Sequence, residues 1–308
     1  MALLRSAFIA LSANSRLRRF AENSSLGRRM SSRFVAGFRI EDALAVARAL
    51  DQQGLFTTLD SLGENVSSPD QARQAAQVYH SLLDEISGAL LNANVSLKLT
   101  QMGMDLGEAL ACEIVSGLVR HAVAANSFVR VDMEGSPYTQ ATIHMVRSLH
   151  AVPENRGHVG IVIQAYLRRS EQDIAALLSD GIRIRLCKGA YKEPPEIAFP
   201  DKKDVDRNFV ALMKMLLKSG IYHGIATHDE AMIEATKEFA AAERIDRGSF
   251  EFQMLYGIRR DLQRKLVQDG YRVRVYVPFG EQWYPYFMRR LAERPANVLF
   301  LARNFFRS

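Results

Sequence analysis

The stretch VGIVIQAYLRRSEQDIAALLSDGIRIRLCKGAY, residues 159–191, decides the fold. It holds two short β-rich runs, 159–163 and 182–186, with a helical stretch between them. Strand, helix and strand in about thirty residues is the unit of a parallel sheet. Working outward, the same rhythm recurs from about residue 40. Further runs lie at 55–60, 94–99, 128–132, 222–226, 249–253 and 271–277, eight in all, each followed by a helical stretch. After the first run, Val78, Leu82, Ile86 and Leu90 recur at four-residue spacing within 69–91. After the sixth, Met232, Ile233 and Ala240 mark the apolar side of 229–242. Eight such units in about 250 residues predict an α/β fold of the closed (β/α)8 barrel type. No Gly-x-Gly-x-x-Gly follows any run, as an open dinucleotide-binding sheet would require.

One connection departs from the rhythm. Residues 188–203 read KGAYKEPPEIAFPDKK, and Pro194, Pro195 and Pro200 forbid a regular helix there. The stretch predicts a long loop at a strand's carboxyl end, the barrel face that carries active sites.

Composition removes whole classes of function. Of 308 residues, 48% are apolar and 24% charged, which is ordinary for a globular chain and excludes disorder, collagen and coiled coil. No apolar run approaches the ~18 residues of a spanning helix. Two cysteines, Cys112 and Cys187, cannot make a disulfide framework or a Cys-rich zinc site. The net charge of +6 is concentrated at one end. Residues 1–40 carry eight arginines against Glu22, and the remaining residues carry 32 basic and 33 acidic side chains. The body is therefore no polyanion surface, and nucleic acid is not an expected partner. The chain divides into a basic N-terminal helical arm, 1–40, and a barrel domain, 41–308. The arm reads as a solvated helix, an amphipathic helix on an anionic membrane surface, or a targeting peptide.

The ends of the runs carry the chemistry. Core packing does not ask for polar residues there, yet nearly every run ends in one. Asp60 and Glu64 follow the first run and Lys98 lies in the second. Asp132 and Glu134 close the third, Gln164 the fourth, and Arg185 and Lys188 the fifth. Thr227 and His228 close the sixth, Gln253 the seventh, and Tyr276 sits late in the eighth. These side chains are expected to converge on one mouth rich in cations. Unpaired buried charge is expensive, so the mouth is expected to take an anionic group, a phosphorylated cofactor being the natural candidate. The alternative is pairing with Asp60, Glu64, Asp132 and Glu134. Beyond the eighth run, Tyr286, Arg289, Arg290 and Glu293 share one helix face, where two guanidinium forks suit a carboxylate. An exposed, salt-bridged face is the plainer reading. The seven histidines show no metal-ligand spacing, and Cys187 reads as a small buried hydrophobe. Phosphate-loop, zinc-protease and serine-hydrolase motifs are absent.

SLKLTQMG (96–103), VDMEGS (131–136), VIQAYLRR (162–169), RLCKGAYKEP (185–194), ATHD (226–229), FEFQMLYG (250–257) and YVPFG with WYPYFMRRLAERP (276–295) together resemble the proline dehydrogenase family in its monofunctional bacterial form. The resemblance covers about residues 35–308. It implies a distorted (β/α)8 barrel that binds FAD, with the last barrel helix lying over the mouth. It implies oxidation of L-proline to Δ1-pyrroline-5-carboxylate, with electrons passed to a membrane quinone. Carried over residue by residue, Lys98, Arg289 and Arg290 would hold the proline carboxylate. Leu255, Tyr276 and Tyr286 would wall the ring, and Glu293 would pair with the arginines. Asp132 would lie near substrate and flavin and help fix Lys98. Gln164 and Arg185 would hydrogen-bond the isoalloxazine, with Arg185 the source of a positive field, and Met133 would pack at the cofactor. Lys188, Gly189, Ala190, Thr227 and His228 would contact its remaining parts. Departures are mild: Cys187 stands for a usual valine, Phe279 for a frequent tyrosine, and ATHD for ATHN. With no second dehydrogenase domain in the sequence, a separate pyrroline-5-carboxylate dehydrogenase is expected downstream. A cytoplasmic location, peripheral at the inner face of the membrane, is expected too. Another cyclic substrate such as 4-hydroxyproline is the alternative, against which the bulk of Tyr276 argues.

Overall fold

The computed structural model describes Ser24, residues 31–63 and residues 65–293, the last five as backbone. Eight strands close into one all-parallel barrel in chain order. They are β1 (Phe56–Ser61), β2 (Ala93–Leu97), β3 (Val129–Val131), β4 (Val159–Gln164), β5 (Arg183–Cys187), β6 (His223–Ala226), β7 (Phe250–Leu255) and β8 (Arg272–Phe279). The ring closes where β8 pairs with β1, from Phe56 opposite Arg274 to Ser61 opposite Phe279. Each strand lies within two residues of a run read from the sequence. Helix α1 (Ile40–Asp51) precedes β1. Between and after the strands come α2 (Pro69–Gly88), α3 (Glu108–Ala124), α4 (Ser136–Ala151), α5 (Ser170–Ser179), α6 (Lys202–Lys218), α7 (Glu230–Ala242), α8 (Arg260–Gln268) and α9 (Trp283–Glu293). No helix interrupts residues 188–201, as the prolines require.

Strand side chains alternate between two environments, because successive residues point to opposite faces. One set faces the helices. Val95, Leu97, Val129, Val131, Ile161 and Ile163 are fully or almost fully buried in one continuous cluster with the helices' apolar stripes. Helix α2 shows how the stripe forms. Ser68 caps it by accepting from the Gln71 amide at 3.3 Å, Pro69 opens the first turn, and Ala72, Ala76, Tyr79, Leu82, Leu83 and Ile86 are buried. Leu90, expected on this stripe, is 88% exposed. The helix ends at Gly88, and Leu90 takes a left-handed φ of 51°, which turns its side chain into solvent.

The other set fills the barrel's interior, and it is polar. Arg274 donates to Glu251 at 2.7 Å and to the Thr57 carbonyl at 2.8 Å. Tyr222 and Gln253 donate to the same Glu251 carboxylate at 2.9 and 2.6 Å. Arg185 in turn donates through Nε to Gln253. Arg130 is held by the carbonyls of Ile161 and Arg183 at 3.2 and 3.0 Å. Room for these long side chains comes from a missing one: a Cβ on Gly224 would lie 2.3 Å from Gln253 Nε2. A hydrogen-bonded column thus runs from the barrel floor to its mouth.

Helix α9 does not join the outer ring of helices. Trp283, Tyr284, Tyr286, Phe287 and Met288 are buried in a second cluster with Phe34, Val35, Leu62 and Ile258. Leu62 follows β1 and Ile258 follows β7, so this cluster lies on the mouth side of the barrel. Residues 33–37, within the segment assigned to the arm, strap it down. Ala36 donates to the Pro278 carbonyl and Gly280 to the Gly37 carbonyl, both at 2.9 Å. Residues 1–23 and 25–30 of the arm lie outside the described residues.

The column makes a stability prediction. Burial would raise the Glu251 pKa, but Arg274 overrides it and holds the carboxyl below its usual 4.5. Glu251→Ala strands the Arg274 charge and is expected to cost about 3–5 kcal/mol of unfolding free energy in urea. Adding Arg274→Met should recover part of that loss. Because the folded pKa lies below the unfolded one, Glu251's contribution is fully present above its unfolded value of 4.5 and fades as pH falls through the folded value.

Candidate active site

The top of the column is a hub at Asp132, just past β3. Its Oδ1 accepts from Arg185 Nη1 at 2.8 Å and from Ser96 Oγ at 2.6 Å, and its Oδ2 accepts from the Tyr276 hydroxyl at 2.8 Å. Strands β2, β3, β5 and β8 therefore meet through one carboxylate. Arg185 also lies over the Tyr276 ring, 5.2 Å from its centroid. Burial, with Asp132 and Asp60 nearby, pushes the Tyr276 pKa well above its usual value. The hydroxyl thus stays protonated and keeps donating across the physiological range.

Beside the hub, Lys98 Nζ sits 3.2 and 3.4 Å from the two oxygens of Asp60. Burial raises the Asp60 pKa, against the lowering effect of Lys98. Tyr79 bridges Asp60 Oδ1 and Gln101 Oε1 at 3.3 and 3.1 Å.

These groups open onto a cavity of about 530 Å³ at the strands' carboxyl ends. Lys98, Asp132, Met133, Gln164, Arg185, Leu255 and Tyr276 line its inner part. Lys188, Gly189, Ala190, Thr227 and His228 line its β5–β6 side. Gly189 has a φ of +111°, and a Cβ there would lie 2.1 Å from the Tyr166 ring, so only glycine lays this backbone flat on Tyr166. His228 Nε2 accepts from the Leu255 amide at 2.9 Å, tying the ends of β6 and β7 together. Gln164 donates to the Glu134 carbonyl at 3.0 Å. The described residues hold no cluster fit for a metal ion.

The sequence profile of the proline dehydrogenase family matches residues 43–303. Proline dehydrogenase 1 of Bacillus subtilis is 42% identical over 302 residues, spanning 98% of each chain. The proline dehydrogenase of Deinococcus radiodurans is 42% identical over 278 residues, spanning 89% of each. The chain belongs to the proline dehydrogenase family. The crystal structure of proline utilization A from Bdellovibrio bacteriovorus inactivated by N-propargylglycine has a similar fold, with a TM-score of 0.83 at 25% identity. That match covers 94% of this chain but 36% of the other, so the chain spans about a third of that longer protein.

Several features of this proline dehydrogenase fold differ from the sequence reading. The mouth is not a bare bowl of cations. Asp60 answers Lys98, Asp132 answers Arg185, and Asp206 with Asp229 answers Lys188. Internal pairing, the alternative weighed from the sequence, already offsets most of the buried charge. Glu134 accepts from the Thr100 amide and hydroxyl at 3.1 and 2.7 Å. Asp132, expected to help fix Lys98, anchors Arg185, Ser96 and Tyr276, and Asp60 faces Lys98. Tyr286 is buried in the second cluster, which reaches the cavity wall through Leu255. Glu64 and the side chains of Arg289, Arg290 and Glu293 lie outside the described residues; the backbone of the last three is in α9.

Sequence reasoning passed over Asp206, Asp229, Lys202 and Tyr191. Asp229 had a signal, since it comes three residues after β6 and caps α7, its side chain accepting from the Ala231 amide. Cys187 is not sealed in the core; it is half-buried and lines the cavity at the end of β5. Burial pushes its thiol pKa to about 12. The thiol is then overwhelmingly protonated at pH 8, so iodoacetamide should leave Cys187 unmodified by mass spectrometry over an hour. Ready alkylation there would contradict this.

Proposed function

We propose that the protein oxidises L-proline to Δ1-pyrroline-5-carboxylate, using FAD bound in the 530 Å³ cavity and a membrane quinone as the final acceptor. Family membership supports the substrate, since the full-length relatives are named proline dehydrogenases. One observation supports the cofactor above all. Arg185 holds Asp132 and Gln253 through Nη1 and Nε, but its buried Nη2 meets no hydrogen-bond partner among the described residues. Arg185 lines the cavity, and a buried guanidinium N–H left unmet calls for an acceptor. The surrounding donors suit a flavin nucleotide: Gln164 and Arg185 for a polar ring edge, and Lys188, Thr227 and His228 for the chain beyond it. The flat backbone at Gly189 suits close approach of a ligand.

The chemistry FAD supplies when bound is two-electron acceptance. The protein's residues do the rest. Lys98, Arg289 and Arg290 hold the substrate carboxylate, and Glu293 steadies the arginines. Asp60 keeps the Lys98 ammonium aimed from below. Leu255, Tyr276 and Tyr286 wall the pyrrolidine ring, so its reacting C–H bond points one way. Asp132 fixes Arg185 and Tyr276 in a single arrangement. Met133 packs at the cofactor and excludes water. Arg185 places positive charge where negative charge accumulates as the substrate is oxidised. Helix α9 covers the mouth and carries both the wall and the carboxylate grip, so substrate capture and closure involve the same element. The basic arm favours contact with an anionic membrane, where quinone is dissolved. No described helix is long and apolar enough to cross a membrane.

Anaerobic addition of L-proline to the FAD-loaded protein should bleach the flavin absorbance, and trans-4-hydroxyproline should do so far less. Flavin binding without bleaching would remove proline as the substrate. Arg289→Ala or Arg290→Ala should raise KM for L-proline by roughly 30-fold or more, the scale of losing a charged partner. An unchanged KM in both variants would remove the carboxylate grip from α9. Deleting residues 1–20 should lower the fraction bound to anionic vesicles, and an unchanged fraction would contradict membrane contact by the arm.

A further inference from the structure

We propose that Glu193 is a positioning residue for this site: it latches the 188–201 loop to the start of α4 and so closes one side of the flavin cavity. The proposal rests on FAD occupying that cavity.

Helix α4 begins without a cap of its own. Its N-cap is Gly135, which has no capping side chain, and its first turn holds no acid. Exposed N–H groups and a positive dipole end call for a carboxylate there. Glu193 supplies one from 57 positions along the chain. Its Oε1 accepts from the Ser136 amide at 2.7 Å and its Oε2 from the Ser136 hydroxyl at 2.6 Å.

The rest of the loop shows why this contact matters. The root is held where the Tyr166 amide donates to the Lys188 carbonyl at 2.8 Å and Gly189 lies on the Tyr166 ring. The tail is held where the Arg168 amide donates to Ile197 at 3.0 Å and the Phe199 amide donates to Tyr166 at 2.8 Å. Arg168 also lies 4.7 Å from the Phe199 ring centroid. Root and tail are therefore anchored to the same short segment, 166–168, just past β4. Arg168 Nε also donates to the Pro195 carbonyl at 2.8 Å, and Lys188 pairs with Asp206 and Asp229 on the β6 side. Glu193 holds the loop from the far side, on the element that follows β3. The arc it restrains carries Ala190 and Tyr191, both on the cavity wall. Pro194 and Pro195 directly after Glu193 stiffen the arc and remove its competing backbone donors.

The test uses apo-protein and FAD titration for wild type, Glu193→Ala and Glu193→Gln. Hydrogen exchange in the apo-protein reads the latch without any cofactor. Glu193→Ala should speed exchange about tenfold or more at the Ser136 amide and across 188–197, with the barrel strands unchanged. Its Kd for FAD, from fluorescence quenching, should rise about tenfold or more, the scale of a lost charge-assisted hydrogen bond. Glu193→Gln keeps an acceptor for the Ser136 amide and should stay within about threefold of wild type in both readouts. Wild-type exchange and FAD affinity in Glu193→Ala would overturn the proposal. Faster exchange throughout the barrel would also overturn it, making Glu193 a general stability residue. A wild-type protein that binds no FAD would instead overturn the cofactor reading, and with it any role for Glu193 at a flavin, while Ser136 exchange still reports whether the latch exists.

Discussion

The buried charge inside the barrel is the constraint on which the rest depends. Arg274, Glu251, Arg185 and Asp132 stand one above another in a space that most barrels of this kind fill with branched apolar side chains. Charge at that depth survives only when each group is paired and hydrogen-bonded. Each link fixes the next: Arg274 orients Glu251, Glu251 orients Gln253, Gln253 orients Arg185, and Arg185 with Tyr276 and Ser96 orients Asp132. Among the described residues the column leaves buried donors unmet at Arg130 Nε and Arg185 Nη2, and Arg185 lines the cavity. The floor of the barrel thereby sets the direction of a donor at its mouth.

The mouth is then closed by elements that do not belong to the ring of helices. Helix α9 and the strap at 33–37 share one apolar cluster above β1, β7 and β8. The 188–201 loop approaches from the opposite side, above β3, β4 and β5. On the proposed reading, the first closure brings Tyr286, Arg289 and Arg290 to the substrate, and the second brings Lys188, Gly189 and Ala190 to the cofactor.

The sequence showed more of the scaffold than of the pairing. Eight β-rich runs separated by helical stretches were visible because their composition and spacing are local properties. So were the polar strand ends, since a charged residue where a core residue belongs stands out. The resemblance rested on those same ends. Partners were harder to read. Lys98 meets Asp60, Arg185 meets Asp132 and Lys188 meets Asp229 across 38, 53 and 41 positions, and only barrel closure brings them together. Without the register, the mouth looked more cationic than it is. Leu90 continued a four-residue spacing past the helix end at Gly88, and its own left-handed φ turns it away from the stripe. Glu193 looked like one more acid in a proline-rich loop, because the uncapped helix it serves starts 57 positions earlier.

On the proposed reading, the column aims Arg185 at the flavin. The most direct measurement is the midpoint potential of bound FAD in wild type and Arg185→Gln, both fully loaded. Loss of one charge-assisted donor, worth about 1.5–3 kcal/mol, should lower the two-electron potential by about 30–60 mV. Equal potentials in the two proteins would mean that Arg185 does not face the flavin, and that the column ends somewhere other than the reaction.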